Sequence, residues 1–321
     1  MQRFIRCALT VLSLGFAITT AATAVEAYPS RPIRIVVTSG AGGLLDAQTR
    51  LFAAKMSEKL GQPIVIENKP GADGLLAFNA VKSAPADGYT LLSTSDTIAI
   101  RAALKRDPGY SLEKDFVGVG VMSVVPLVLL AAEDKPFKTF PELVTAVKAQ
   151  PGLLTYATEG NATTTHLASA ILLNKMNLNM LHVPYKSNSA AMPDVASGRI
   201  DVKFSVAHQL NSGRLRALGV ASTKRLPGLP NIPTLMEQGA PDLHYVPWFG
   251  LVTAAGVPEE VIRRLGAAMQ DAAAHPDVQR RVRDDGGEER VVMSPEQFTQ
   301  LIRQRKVDIE KLGTDLSWAK E

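Results

Sequence analysis

The stretch Ile33-Arg34-Ile35-Val36-Val37-Thr38-Ser39-Gly40-Ala41-Gly42-Gly43-Leu44-Leu45-Asp46 decides the fold. Residues 33–38 are mostly apolar and β-branched, the composition of a short buried strand. A Gly-rich loop follows, and then a helix is expected over 46–60. Phe52, Met56 and Leu60 fall at i, i+4 and i+8, and Gly61 stops it. The unit repeats: a strand over 64–67, the loop Asn68-Lys69-Pro70-Gly71-Ala72-Asp73-Gly74, a helix over 75–82, the turn Pro85-Ala86-Asp87-Gly88 and a strand over 90–93. Strand–loop–helix in succession implies parallel βαβ units.

Further along, 116–131 is apolar and β-branched but broken by Gly118, Gly120 and Pro126. It is either two strands or one segment passing between lobes. The βα rhythm then restarts: helix 140–148, strand 153–158, helix 164–175, strand 181–184, helix 190–196 and strand 201–205. A strand over 215–222 is a candidate return crossing. A Pro-rich stretch, a strand over 248–253 and C-terminal helices complete the chain. One helix opens at Pro258-Glu259-Glu260. Another opens at the capping box Ser294-Pro295-Glu296-Gln297. Two βα blocks joined by two strand-like segments suggest two lobes. Ligands of open α/β sheets sit at the carboxyl ends of the strands, which directs attention to the loops at 39–46, 68–75, 93–98 and 158–166.

The composition narrows the function. The chain has 321 residues with 35 Lys+Arg against 31 Asp+Glu, a net +4 too weak for a nucleic-acid binder. Its single cysteine, Cys7, excludes a disulfide framework, a cysteine zinc site and an iron–sulfur cluster. The five histidines, His166, His182, His208, His244 and His275, lack metal-ligand spacing. No P-loop, Gly-x-Ser-x-Gly elbow or His-Glu-x-x-His is present. No metal or cofactor is expected. Residues 1–27 read as a Sec signal peptide: Arg3 and Arg6, an apolar run over 7–22, and Val25-Glu26-Ala27 before the cleavage point. The run falls short of the roughly 20 residues needed to span a bilayer. Cleavage leaves residues 28–321, with a net charge of +3 and no cysteine.

Each loop admits two readings. Gly42, Gly43 and Leu44, with Asp46, form either an anion site of close backbone and helix-start N–H groups or a plain strand-to-helix turn with Asp46 as N-cap. A dinucleotide fingerprint fails because Leu45 stands where its last glycine belongs. Ser93, Thr94 and Ser95, with Asp96 and Thr97, either cap a helix or line a cleft. Thr163, Thr164 and His166 sit where hydroxyls and amides suit a carboxylate. His166 as a catalytic base has no nucleophile motif to support it, and packing is the simpler role. Trp248, Tyr185 and Tyr245 read as core.

Seven motifs in order add a resemblance. They are Tyr28-Pro29-Ser30-Arg31-Pro32-Ile33, Gly42-Gly43 with Asp46, Glu67-Asn68-Lys69-Pro70-Gly71-Ala72, Asp87-Gly88-Tyr89-Thr90-Leu91, Tyr156-Ala157 with Gly160, Thr163, His166 and Leu167, His182-Val183-Pro184-Tyr185-Lys186, and Trp248-Phe249-Gly250. Together the chain resembles the periplasmic solute-binding proteins of tripartite tricarboxylate transporters, the Bug family. The resemblance implies an α/β, two-lobed type II periplasmic binding protein fold with the ligand cleft between the lobes. The expected limits are 28–122 and 223–321 for lobe one and 123–222 for lobe two, with hinges near 121–126 and 220–223. It further implies a periplasmic monomer, not an enzyme, that binds a small carboxylate with Gly42, Gly43, Leu44, Asp46, Ser93, Thr94, Ser95, Thr163, Thr164, His166 and Ser205. Its partners would be the membrane permease subunits. The alternatives are an exported sensory module and a hydrolase or isomerase using His166. The family's small residues after Gly-Gly are replaced here by Leu44 and Leu45, Ser187 replaces a glycine, and the segment after Phe204 is short. Leu44 and Leu45 are expected to make the pocket drier and to favour a ligand with an apolar body.

Overall fold

The computed structural model describes residues 28–161, 163–243, 245–287 and 293–315. The expected signal segment, 1–27, lies outside the described residues. The chain opens with strand β1 (Ile33–Val37), helix α1 (Leu44–Leu60), β2 (Ile64–Asn68), α2 (Leu75–Lys82), β3 (Thr90–Ser95), α3 (Thr97–Leu104), the short α4 (Leu112–Asp115) and β4 (Phe116–Val124). It continues with β5 (Leu127–Ala132), α5 (Phe140–Ala149), β6 (Thr155–Thr158), α6 (Thr164–Met176), β7 (Leu181–Pro184), α7 (Asn188–Ala196), β8 (Val202–Val206) and β9 (Leu215–Ala221). The last elements are β10 (Trp248–Ala254), α8 (Glu259–Ala274), α9 (Pro276–Asp284) and α10 (Pro295–Asp315).

These strands form two five-stranded sheets with matching plans. The first runs β2-β1-β3-β10-β4, with β1, β2 and β3 parallel and β10 antiparallel to β3 and β4. The second runs β7-β6-β8-β5-β9, with β6, β7 and β8 parallel and β5 antiparallel to β8 and β9. In each, the antiparallel strand is the one by which the chain arrives from the other sheet. The sequence expectation of two α/β lobes is met.

β1 is apolar except for the half-buried Arg34, because both faces of its sheet are covered. Ile33, Ile35 and Val37 pack with Phe52 and Met56 of α1 and with α8 and α9. Val36 points to the opposite core, with Phe78 of α2, Ile98 of α3 and Phe298 of α10. The predicted face of α1 is buried as expected, and Gly61 ends the helix at φ +69°. In the second lobe, α5 and α6 bury Leu143, Leu167 and Ile171 against Phe204 and Leu129. α7 covers the other face, with Ala191 and Val195 against Ala157.

The crossings refine the expected hinges. β4 ends at Val124 and β5 begins at Leu127, so 116–131 is two strands and the passage between lobes at once. The return differs. Leu226 packs with Val128 and Val220, and Leu235, Leu243 and Tyr245 join the core of the second sheet. The chain therefore stays on lobe two past 222 and re-enters the first sheet at Trp248. The two passages touch: the Val125 N–H donates to the Pro247 carbonyl at 2.8 Å. The apolar residues of the Pro-rich stretch, which carry no period, hold it on lobe two.

α10 also spans the division. Phe298 and Ile302 lie in a core of lobe one, while Ile309 is buried in a cluster that joins Ile100, Ala103 and Leu104 of α3 to the core of lobe two. Its start is the expected capping box: Gln297 N–H donates to Ser294 Oγ (3.2 Å) and Ser294 N–H to Gln297 Oε1 (2.9 Å). Gly250 permits its close approach. A Cβ there would lie 2.9 Å from the Gly120 carbonyl oxygen and nearer still to the Phe298 ring.

Candidate functional site

The first Gly loop is braced from behind by Asp46. Helix α1 starts at Leu44, two residues earlier than expected, so Asp46 lies inside its first turn and is not the N-cap. Its buried carboxylate accepts from the Gly42 N–H (2.9 Å), Arg50 Nε (3.1 Å) and Asn68 Nδ2 (2.9 Å). Burial pushes this carboxyl up, but the Arg50, Gly42 and Asn68 hydrogen bonds outweigh it and hold it below the usual carboxylate value. Gly42 takes φ +80°, which an L side chain rarely adopts. Its amide is committed to Asp46. Gly43 is the N-cap residue, so the amides left open by helix geometry are those at the start of α1, from Leu44 onward. Leu44 is half-buried beside the loop. Leu45 packs into the core of lobe one, so it cannot dry a ligand pocket as expected.

Ser93 and Thr94 are fully buried. Thr49 donates to the Leu45 carbonyl (2.6 Å), so the 2.6 Å bond between Thr49 and Ser93 uses the Ser93 proton. Ser93 thereby ties β3 to α1. Ser95 is half-buried, 2.8 Å from Thr97 Oγ1, and accepts the Thr97 N–H (3.3 Å) at the start of α3. Ser95 thus braces the start of α3, whose N-cap residue, Asp96, faces the other lobe.

On lobe two, Thr163 is the N-cap of α6. It accepts the His166 N–H (3.4 Å) and donates to the Gly160 carbonyl (2.9 Å). The His166 ring stacks on His182 at 4.4 Å, and His182 stacks in turn on Tyr156 and lies 2.7 Å from Thr158 Oγ1. His166 thus packs in a column of rings. Ser205 is buried and donates to Asn188 Oδ1 (3.2 Å) at the start of α7.

The two loop sets meet at Asp96. Thr164 Oγ1 donates to Asp96 Oδ1 at 2.7 Å, and the Tyr245 hydroxyl donates to Oδ2. Both Asp96 and Tyr245 are buried. Burial pushes the Asp96 carboxyl up, against the opposing pull of Tyr245, Thr164 and the Arg305 charge. Burial and the neighbouring Asp96 push the Tyr245 phenol up as well. The carboxyl end of β3 on one sheet and the helix start after β6 on the other therefore face each other. Gly42, Asp46 and Ser93 gather behind that junction on lobe one; Ser205 belongs to a separate contact with α7.

Sequence reasoning undervalued three groups here. Asp96 was visible only as one of five short polar residues, and Tyr245 as core. Lys203, on β8, is wholly buried, with its ammonium on Glu159 Oε1 (3.1 Å) and the Phe204 carbonyl (2.9 Å). A lone lysine in a strand was the available signal. A buried polar network also backs α1: Ser123 donates to Gln48 Oε1 (2.6 Å), and Arg281 Nε to Asp285 Oδ1 (3.0 Å).

The fold recurs in known proteins. The model of the tripartite tricarboxylate transporter family receptor matches residues 48–313. A UPF0065 protein in the tcbD-tcbE intergenic region of Pseudomonas sp. strain P51 is 38% identical over 273 residues, 83% of this chain and 81% of that one. The structure of the periplasmic binding protein BugD aligns with TM-score 0.83 and 30% identity, covering 92% of this chain and all of that one. MatC of Rhodopseudomonas palustris with bound malate aligns with TM-score 0.80 and 29% identity, over 89% of this chain and 99% of that one. The chain belongs to the tripartite tricarboxylate transporter receptor family, and it is a two-lobed solute-binding protein, not an enzyme.

Proposed function

We propose that the protein captures a small carboxylate between its lobes, in the periplasm, and delivers it as a monomer to the permease subunits of a tripartite tricarboxylate transporter. The observation that carries this reading is the meeting of the two strand-end loop sets at Asp96 and Thr164. It joins the start of α6 to that of α3, and α1 opens from β1, the strand beside β3 in the same sheet. Helix starts present unpaired N–H groups and the positive end of a dipole, the natural partners of a carboxylate. The malate bound by MatC, a relative of the same fold, supports the ligand class.

The expected ligand groups then divide by role. The amides from Leu44 onward, Ser95 and the 163–165 turn face the ligand. Asp46 and Ser93 hold the lobe-one loop in shape, and Thr163 holds the lobe-two loop. Ser205 flanks the α7 start. Micromolar affinity needs about −8 kcal/mol. A hydrogen bond to a charged group contributes roughly 1.5–3 kcal/mol, so four or five suffice before association costs. Leu44 is the remaining apolar neighbour, and it favours a ligand with some hydrocarbon body.

Native mass spectrometry of protein purified from its host tests the reading. The expected result is a co-purified small acid at one per chain. Protein that emerges empty, and that turns over a carboxylate ester or acid when supplied, overturns it.

A further inference from the structure

A cavity of about 220 Å³ lies beside the strap that leads back to the first sheet. None of the residues expected to hold the interlobe ligand lines it. Its walls are apolar at Val220, Ala221, Leu235 and Leu243, and one side is closed by Tyr245 and Arg305. An apolar cavity of about 150 Å³ accepts benzene, so this volume holds a ring with one substituent.

The chemistry of the walls selects the substituent. Arg305 is charged at every accessible pH and carries five donors. One donates to the Val246 carbonyl at 3.2 Å, and the guanidinium lies 5.1 Å over the Tyr245 ring. Its Nε is buried without a hydrogen-bond partner. The Arg305 charge is felt by the Asp96 carboxylate, which the Tyr245 hydroxyl holds. Among the described residues, no carboxylate oxygen lies within ion-pair distance of Arg305. The other acid at the cavity, Asp242, has a contact of its own and disfavours a second negative charge.

We infer that this cavity is a second binding site, for a small monocarboxylate with an apolar body, which sets its carboxylate on Arg305 and its body among Ala221, Leu235 and Leu243. The occupant would rest beside Tyr245, whose hydroxyl holds the Asp96 carboxylate at the junction of the lobes. Occupancy of the strap cavity is thereby coupled to the interlobe contact. The inference does not rest on the proposed transport role.

Benzoate is the probe. Titrated into the isotope-labelled protein, it is expected to shift the amide resonances of Ala221, Leu243 and Tyr245 in a saturable manner. Arg305→Gln is expected to weaken that binding at least roughly tenfold, the loss of one hydrogen bond to a charged group. Arg305→Lys is expected to keep part of it. Ala221→Leu, which fills the cavity while leaving Arg305 intact, is expected to abolish it. If Arg305→Gln does not fold, Ala221→Leu decides alone. Shifts confined to Leu44 and Thr163–Thr165, or no shift at all, overturn the inference. So does equal benzoate affinity in Ala221→Leu.

Discussion

The hydroxyl of Thr164, the first residue of α6 on lobe two, donates a 2.7 Å hydrogen bond to the carboxylate of Asp96 on lobe one. The acceptor is wholly buried, and its second oxygen is held by Tyr245. The bond ties the two lobes together at the cleft. Thr164→Val removes the donor and leaves Asp96 with one partner fewer. The expected cost is about 1.5–3 kcal/mol in urea unfolding, the range for a hydrogen bond to a charged group. Tyr245→Phe is expected to cost as much. The double variant should cost less than the sum, because the two share an acceptor. Strict additivity would show that Asp96 does not couple them.

Asp46 and Asp96, both buried, have opposite pH signatures. The Asp46 carboxyl is held below its ordinary value of 3.8. The unfolded chain therefore binds more protons just below that pH, and the stability from Asp46 is present above 3.8 and lost as pH falls through its folded value. Asp96 is raised above 3.8. Its folded form keeps a proton that the unfolded chain releases, so its contribution declines as pH rises through the window above 3.8. Unfolding in urea at stepped pH checks both. Asp46→Asn should flatten the acid-side loss, and Asp96→Asn should flatten the decline above 3.8. Unchanged pH profiles in both variants would contradict the assigned partners.

Lys203 is fully buried while its partner Glu159 is about one-third exposed, with 36% of its side chain accessible. Glu159→Gln leaves a buried ammonium with the Phe204 carbonyl as its remaining named acceptor. Solvent near Glu159 screens part of the loss, so about 1–2 kcal/mol is expected, below the 3–5 kcal/mol of a fully buried pair. Lys203→Met, which removes the buried charge and keeps the volume, should cost less than Glu159→Gln. The reverse order in denaturant unfolding would mean that the lysine is not desolvated.

Gly250 lies under Phe298 at the foot of α10. Gly250→Ala is expected to destabilise the fold by about 1–3 kcal/mol through overpacking. Phe298→Leu, which withdraws the ring, should recover part of that loss in the double variant. A Gly250→Ala protein as stable as the parent would show that α10 is free to shift.

Legibility in the sequence followed the range of the interactions involved. The 33–46 stretch could be read because strand, loop and helix are set by neighbours within a few residues, and the α1 face and the Ser294 capping box came out as expected. The extent of α3, residues 97–104, was not legible, although a helix capped near Ser93–Thr97 was one reading: its Ile98, Ala99, Ala102 and Ala103 are buried by different elements on different sides, so no single apolar stripe marks it. The second crossing was misplaced because the 223–245 stretch is fixed by scattered leucines with no period. Asp96 and Tyr245 were underrated because 149 positions separate them, and a hydrogen bond at that range leaves no local pattern. Leu45 was assigned to the pocket because the sequence shows adjacency, not the direction a helix turns its side chains.

The central claim is that a carboxylate binds between the lobes. Thermal unfolding against dicarboxylates, tricarboxylates, aromatic acids and amino acids tests it most directly. A ligand at a hundred times its Kd adds about 2.7 kcal/mol, and each kcal/mol raises Tm by roughly 2–4 °C in a chain of 150–250 residues. At least one carboxylate is expected to raise Tm by several degrees, dose-dependently, with the rise diminished in Thr163→Val. A Tm that none of the carboxylates moves, or a rise that Thr163→Val leaves intact, would contradict the account.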